Sequence, residues 1–146
     1  MKTKNDVMDR LKLIAKEVQD DEASKMNAML APEPYDCDVE SQTIIIRYKA
    51  QPWEQNHRGE IHGGAVAAMF DTAMGMSIIG LSDHDSVATS DLDVSFIRPF
   101  TGEYFLFEVN VIRLGRTMAR ARALAKDQDT GKILASATSN FVYTDR

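Results

Sequence analysis

The sequence predicts an α+β fold: an antiparallel β-sheet wrapped around one buried helix, with an amphipathic helix ahead of both. Three features predict it. Residues 62–79 are apolar on every face, so a helix there has no side to turn to water. After that helix the hydrophobic period drops from 3.6 to 2 and stays at 2 to the end of the chain. The period-2 segments are separated by short turns, which make antiparallel neighbours. Such a sheet must cover its apolar face, and the 62–79 helix is the only fully apolar element able to do so.

The elements follow in order. Val7, Leu11, Ile14 and Val18 recur every third or fourth position among charged residues, which predicts a helix over 5–18. Residues 1–35 are assigned to an N-terminal helical segment closed by Pro32 and Pro34, and 36–146 to the sheet-and-helix domain. VESQTIIIRYK, residues 39–49, is rich in β-branched side chains and reads as a strand. AQPWEQNHRGE is a polar loop leading into the buried helix. Beyond the helix, Leu92, Val94 and Phe96 alternate with Asp91, Asp93 and Ser95, and the same alternation places Thr89 on the polar face. Pro99, Thr101 and Gly102 mark a turn, and Phe105, Phe107, Val109 and Val111 form the next apolar face. Leu114-Gly115-Arg116 turns the chain, residues 117–125 alternate again, Asp127–Gly131 is a hairpin turn, and 132–143 closes a sheet of four or five strands.

At 146 residues there is room for a single core. With 44% hydrophobic and 27% charged residues, a disordered or low-complexity chain is excluded. The 17 basic and 22 acidic residues give a formal charge of -5, which argues against general affinity for nucleic acid or for an anionic membrane. One cysteine, Cys37, permits no internal disulfide, and with three scattered histidines it builds no metal site; Cys37 also has no nearby base to make it a nucleophile. The expectation is a cytoplasmic protein with neither metal nor cofactor. No secretory signal is expected, since the first residues turn charged. Residues 61–81 are long enough to span a bilayer, but they hold four glycines and Asp71 at the centre. That carboxylate costs about 2.5–3.5 kcal/mol on an insertion scale, so a core helix fits better.

Asp71 is the chemical anomaly of the sequence. A carboxylate inside an apolar helix is either paired, for example to Thr72, or used. At the start of the same helix stands His62-Gly63-Gly64. A helix N-terminus carries unpartnered N–H groups and a positive dipole end, and glycines let an oxygen approach them closely. Asn56, seven positions before Gly63, adds an amide that can hold a carbonyl or a water. An oxyanion site, a carboxylate and an orienting amide are the minimal equipment for acyl transfer to water.

Asn56-His57-Arg58-Gly59-Glu60-Ile61-His62-Gly63-Gly64, followed by Met69-Phe70-Asp71-Thr72-Ala73-Met74-Gly75, resembles the hotdog-fold acyl-CoA thioesterases of the phenylacetate-degradation type. The stretch Ala88 to Pro99 is similar to the strand after that family's central helix, as is the Gly115-Arg116-Thr117 turn. The resemblance covers residues 36–144. It implies hydrolysis of an acyl-CoA thioester, with Asp71 as nucleophile or general base, the Gly63 N–H as oxyanion donor, Asn56 positioning the carbonyl or the water, and Thr89 orienting the water. His62 matches a helix-start histidine, structural in character. Coenzyme A enters as part of the substrate, and a homodimer or a tetramer of dimers is implied.

Arg98, Arg113, Arg116, Arg120 and Arg122 form a basic run in an acidic chain, suited to the phosphates of coenzyme A. With Gly64 and Gly115, the first three make up the expected substrate-binding set. Geometry also argues for a shared site. Gly63 and Asp71 are eight positions apart on one helix, about 12 Å at ~1.5 Å per residue. A thioester needs both groups within roughly 3 Å of the reacting atoms, which two copies of the chain can supply. The competing readings are a hotdog module that binds acyl-CoA or acyl-carrier protein without turnover, and a hotdog hydratase or dehydratase. The buried carboxylate speaks against the first, and glycines after His62 against the second. Met69, Phe70, Met74 and Met76 leave aryl, medium-chain and long-chain acyl groups all open.

Overall fold

The computed structural model describes residues 2–20 and 25–145. The order is α1 (Lys4–Asp20), α2 (Met26–Leu30), β1 (Glu33–Asp38), β2 (Thr43–Lys49), a 3-10 turn at Pro52–Glu54, α3 (Gly63–Leu81), β3 (Val87–Phe96), β4 (Tyr104–Leu114), β5 (Met118–Asp127) and β6 (Ile133–Tyr143). All six strands lie in one antiparallel sheet, in the order β1-β2-β4-β5-β6-β3.

The sheet curls around α3 as expected. Val66, Met69, Phe70, Ala73, Met74 and Ile78 of α3 are fully enclosed, and the inward faces of β2, β4 and β5 supply Ile44, Ile46, Phe105, Phe107, Val109, Ala121 and Ala125. Because neighbours surround it, α3 needs no polar stripe. Phe107 packs edge-on to both Phe70 and Tyr48, and the Tyr48 hydroxyl donates to the Met69 carbonyl at 2.8 Å. That bond gives the one polar atom of a buried ring a partner. α1 lies across the end of α3, with Val7 and Leu11 buried and Ile14 and Val18 half-buried. Leu11 fits over Gly80, where an added Cβ would sit 2.7 Å from its methyl. Lys2 donates to the carbonyl of Ser82 and Arg10 to that of His84, two cations at the negative end of the α3 dipole.

The structure corrects the sequence reading at four places. The strand expected over 39–49 is β2, Thr43–Lys49, and residues 39–42 form a turn in which Gln42 takes a φ of 54°. Pro34 lies within a strand, β1, so the expected division at 35/36 falls inside β1. Proline is tolerated there because β1 is an edge strand with a register shift between Pro34 and Asp36. The sheet therefore has six strands where four or five were expected. Finally, β3 is not a neighbour of β4. The 97–103 connection crosses the end of the sheet, held by Ile97 and Arg98 N–H bonds to the Leu134 carbonyl and by Ala50 N–H to the Glu103 carbonyl. This leaves β3 at the far edge, beside β6.

Candidate active site

His62 caps α3: its Nδ1 accepts the Gly64 N–H at 2.8 Å. The first helical bond runs from Val66 N–H to the His62 carbonyl. Gly64 is thus engaged by the cap, and Gly63 lines a groove of about 420 Å³ together with Asn56, Arg58, Phe96 and Arg98. Phe96 from β3 closes over Gly63, with ring carbons 3.4 Å from where a Cβ would be. Any side chain there presses on that ring, so glycine keeps the approach to the amide open.

Asn56 is held by its own loop. Its Oδ1 accepts the N–H groups of Arg58 (2.9 Å) and Glu60 (3.2 Å), and its backbone N–H donates to the Glu60 carbonyl at 2.7 Å. The carbonyl oxygen of the side chain is therefore committed to folding the turn. The Nδ2 amide is the end left to address a ligand.

Asp71 lies half-buried in the middle of α3. Its partner is not the adjacent Thr72, whose hydroxyl donates to Asn27 Oδ1 in α2. Instead Thr89 Oγ1 of β3 donates to Asp71 Oδ1 at 2.6 Å. Simple alternation puts Thr89 on the outer face with Asp91, and here the structure overturns the pattern. A bulge between Thr89 and Asp91 shifts the register by one, so that Thr89 opposes Phe141 and Leu92 opposes Ser139, both on the helix side. One extra residue exchanges the faces of everything before it. The bulge is pinned from β6: Asn140 gives its backbone N–H and its Nδ2 to the Asp91 carboxylate, and Ser139 Oγ donates to the Asp91 carbonyl. Asp91 thus aims Thr89 at Asp71.

The arginine run is divided. Arg98 follows β3 and donates to the Ile133 carbonyl at 2.6 Å, at the end of the sheet that holds Gly63. Arg113, Arg116 and Arg120 gather at the opposite end, where Leu114 pairs with Ala119. The ten residues of β5 separate the two ends by about 30 Å at ~3.4 Å per residue. Arg113 faces Arg120 across β4 and β5, and Arg122 stands nearer the middle of the sheet, opposite Asn110 and Thr138. Gly115 is required by the hairpin itself: its N–H donates to the Met118 carbonyl at 2.9 Å, and an added Cβ would lie 2.6 Å from that oxygen.

One residue went unnoticed in the sequence. Glu54 is 1% exposed, its Oε1 accepts the Gln51 N–H at 2.8 Å, and burial raises its carboxyl above the ordinary value. Gln51-Pro52-Trp53-Glu54 forms a reciprocal cap with proline inside the first turn. Only the Glu three residues on signalled it, since glutamine is not a usual capping residue.

Within the chain, then, a carboxylate held by a hydroxyl sits at mid-helix, and a glycine-opened helix start sits beside an amide at its beginning. Both are parts suited to hydrolysis at an acyl carbon. The family model described as the thioesterase superfamily matches residues 58–134, more than half the chain, and the chain belongs to that superfamily. A relative from Halobacterium salinarum named as an esterase is 36% identical over 66 residues, covering 43% of this chain and 43% of its own length. The medium/long-chain acyl-CoA thioesterase YigI of Escherichia coli K12 is 28% identical over 122 residues, covering 70% of this chain and 76% of its own. Among solved structures, the PaaI protein from the phenylacetic acid degradation operon of Escherichia coli superposes with a TM-score of 0.76 at 16% identity, over 94% of this chain and 96% of that one. The wrapped-helix architecture is accordingly the hotdog fold, as the motifs around His62 and Asp71 led one to expect.

Proposed function

We propose that this superfamily member hydrolyses acyl-CoA thioesters to the free acid and coenzyme A, with Asp71 as general base. The observation that carries this reading is the 2.6 Å bond from Thr89 to Asp71. It fills one oxygen of the carboxylate and leaves Oδ2, together with the Thr89 lone pairs, to accept the hydrogens of a single water. Asp71 takes a proton as that water attacks the thioester carbon. The oxyanion that forms rests on the Gly63 N–H, at the positive end of the α3 dipole, beside the Asn56 Nδ2. The C–S bond then breaks, and the departing sulfur, a good leaving group with a thiol pKa near ~8.5, takes the proton back from Asp71.

The site is completed by a second copy of the chain. Gly63 and Asp71 are about 12 Å apart along α3, too far to act on one carbonyl. β3 ends the sheet with an unpaired edge, and Phe96 and Ile97 next to Gly63 are 56% and 53% exposed. An isologous dimer through this edge sets Gly63 and Asn56 of one protomer against Asp71 and Thr89 of its partner. It also turns the Arg113–Arg116–Arg120 end of one sheet toward the Arg98 end of the other, where the phosphates of coenzyme A relieve the opposed charges of Arg113 and Arg120. We place the enzyme in the cytoplasm, in keeping with its single buried thiol, Cys37.

The test is thiol release from a panel of acyl-CoAs, run beside loss of enoyl absorbance from a 2-enoyl-CoA. Thiol release, abolished by at least ~10²-fold in Asp71→Asn, is the expected result. Hydration of the enoyl-CoA without thiol release would make the protein a hydratase, and tight acyl-CoA binding with no turnover would make it a binding module.

A further inference from the structure

β3 carries two adjacent hydroxyls, Thr89 and Ser90, and in a regular strand neighbours point to opposite faces. Which of the two meets α3 is a matter of register. Up to Thr89 the strand follows β6 in one register, with Val87 opposite Tyr143 and Thr89 opposite Phe141. From Asp91 onward it follows another, with Asp91 opposite Asn140 and Leu92 opposite Ser139, and Ser90 is the extra residue between them. Carried on without a bulge, the Asp91 register would set Ser90 opposite the enclosed Phe141 and Thr89 opposite Val142, on the outer face.

An extra residue breaks the ladder locally, so both of its flanks have to be held. The first is tied at the start of the strand, where the Thr144 N–H donates to the Ser86 carbonyl at 3.0 Å and the two hydroxyls bond at 2.6 Å. The second is tied by three bonds that converge on Asp91. Asn140 gives its N–H to Oδ1 at 3.1 Å and its Nδ2 to Oδ2 at 2.8 Å, and Ser139 Oγ donates to the Asp91 carbonyl at 2.5 Å. Two donors from Asn140 on one carboxylate make a charge-assisted grip that sets Asp91, and with it the bulge, at this point of the strand.

We propose that Asn140 is a positioning residue of the hydrolase: through Asp91 it holds the bulge that brings Thr89, and not Ser90, to Asp71. This rests on the hydrolase reading above and extends it to a β6 residue on the face turned away from α3.

The experiment breaks the grip and then rebuilds it with the roles exchanged. Asn140→Asp sets two carboxylates against each other, while Arg120, opposite on β5, stands beside the added charge. Adding Asp91→Asn restores a donor and an acceptor, since its amide faces the carboxylate at 140 and its oxygen still accepts the backbone N–H. kcat and KM are measured on an acyl-CoA that the wild type hydrolyses, with each change made in the wild type and in Thr89→Val. Asn140→Asp is expected to lower kcat by about 10- to 100-fold with KM within ~2-fold, as loss of the Thr89 bond does. The exchanged pair should recover at least about half of kcat, and in Thr89→Val the Asn140→Asp change should cost less than ~2-fold more. An equal loss with and without the Thr89 hydroxyl would make Asn140 merely structural, and an unchanged kcat would remove it from the reaction. If Asn140→Asp does not fold, Asn140→Leu, which deletes the Nδ2 donor without adding charge, goes through the same cycle with an expected loss of about 3- to 10-fold. A crystal structure of the folded variant supplies a readout independent of activity: Thr89 Oγ1 turned away from Asp71 is expected, and an intact bond overturns the proposal. A wild type that releases thiol from no acyl-CoA would instead overturn the hydrolase reading, while the crystal structure still decides whether Asn140 places Thr89.

Discussion

Mixing two dead variants is the sharpest test of a site divided between protomers, and the structure dictates which variants to mix. Asn56→Ala is a poor choice, because Asn56 Oδ1 holds the N–H groups of Arg58 and Glu60 and its loss would unfold the loop. Asn56→Asp keeps that acceptor and replaces only the Nδ2 donor, the group proposed to meet the thioester. Asp71→Asn likewise keeps an oxygen for the Thr89 hydroxyl and removes only the carboxylate proposed as the base. Each variant alone should be inactive, with turnover down by at least ~10²-fold. Refolding them together in equal amounts gives mixed dimers in half of all pairings. In each mixed dimer one site carries both lesions and the other carries neither, so about one quarter of wild-type activity should return. The assay is thiol release, with mixed dimers verified by a charge difference on native electrophoresis. If mixed dimers form and activity stays at the level of the separate variants, the 12 Å between Gly63 and Asp71 is bridged some other way and the shared site is wrong.

Further outcomes follow from the same geometry. Thr89→Val removes the hydroxyl bonded to Asp71 and should lower kcat by about 10- to 100-fold with little change in KM, on the ~1.5–3 kcal/mol of a charge-assisted bond; an unaltered kcat would separate Thr89 from the chemistry. Arg116→Ala should raise KM for acyl-CoA while leaving a pantetheine thioester unaffected, since contacts to the nucleotide are equal in ground and transition states. Equal losses on both substrates would make Arg116 structural. Glu54 binds its proton more tightly folded than unfolded, so its contribution to stability is fully present below the ordinary value of 4.5 and is lost as pH rises through the raised folded value. Melting temperatures of Glu54→Gln should therefore gain on the wild type as pH rises from about 4.5 toward 7, and a constant difference would contradict the burial argument.

Much of this protein was decided locally and so was legible in the chain. An all-round apolar segment has to be enclosed, and a period of 2 with short turns has to pair antiparallel; together these determined the wrapped-helix architecture before any coordinate. Gly63 at a helix start and Asp71 within the same helix were readable for the same reason, because helix geometry places neighbours by sequence number alone. The tertiary structure decided whatever depends on which distant segment lies alongside. Pairing of β3 with β6 rather than β4 follows from the 97–103 crossover, whose bonds to Leu134 join residues far apart in sequence. The bulge at Thr89 depends on Asn140 and Ser139 gripping Asp91, and it alone turns Thr89 inward to Asp71. The arginines, grouped within residues 98–122 of the chain, were parted by the length of a strand. Glu54 gave almost no local sign at all, because what makes it unusual is burial beneath α2 and α3, and burial is a property of the assembled layers.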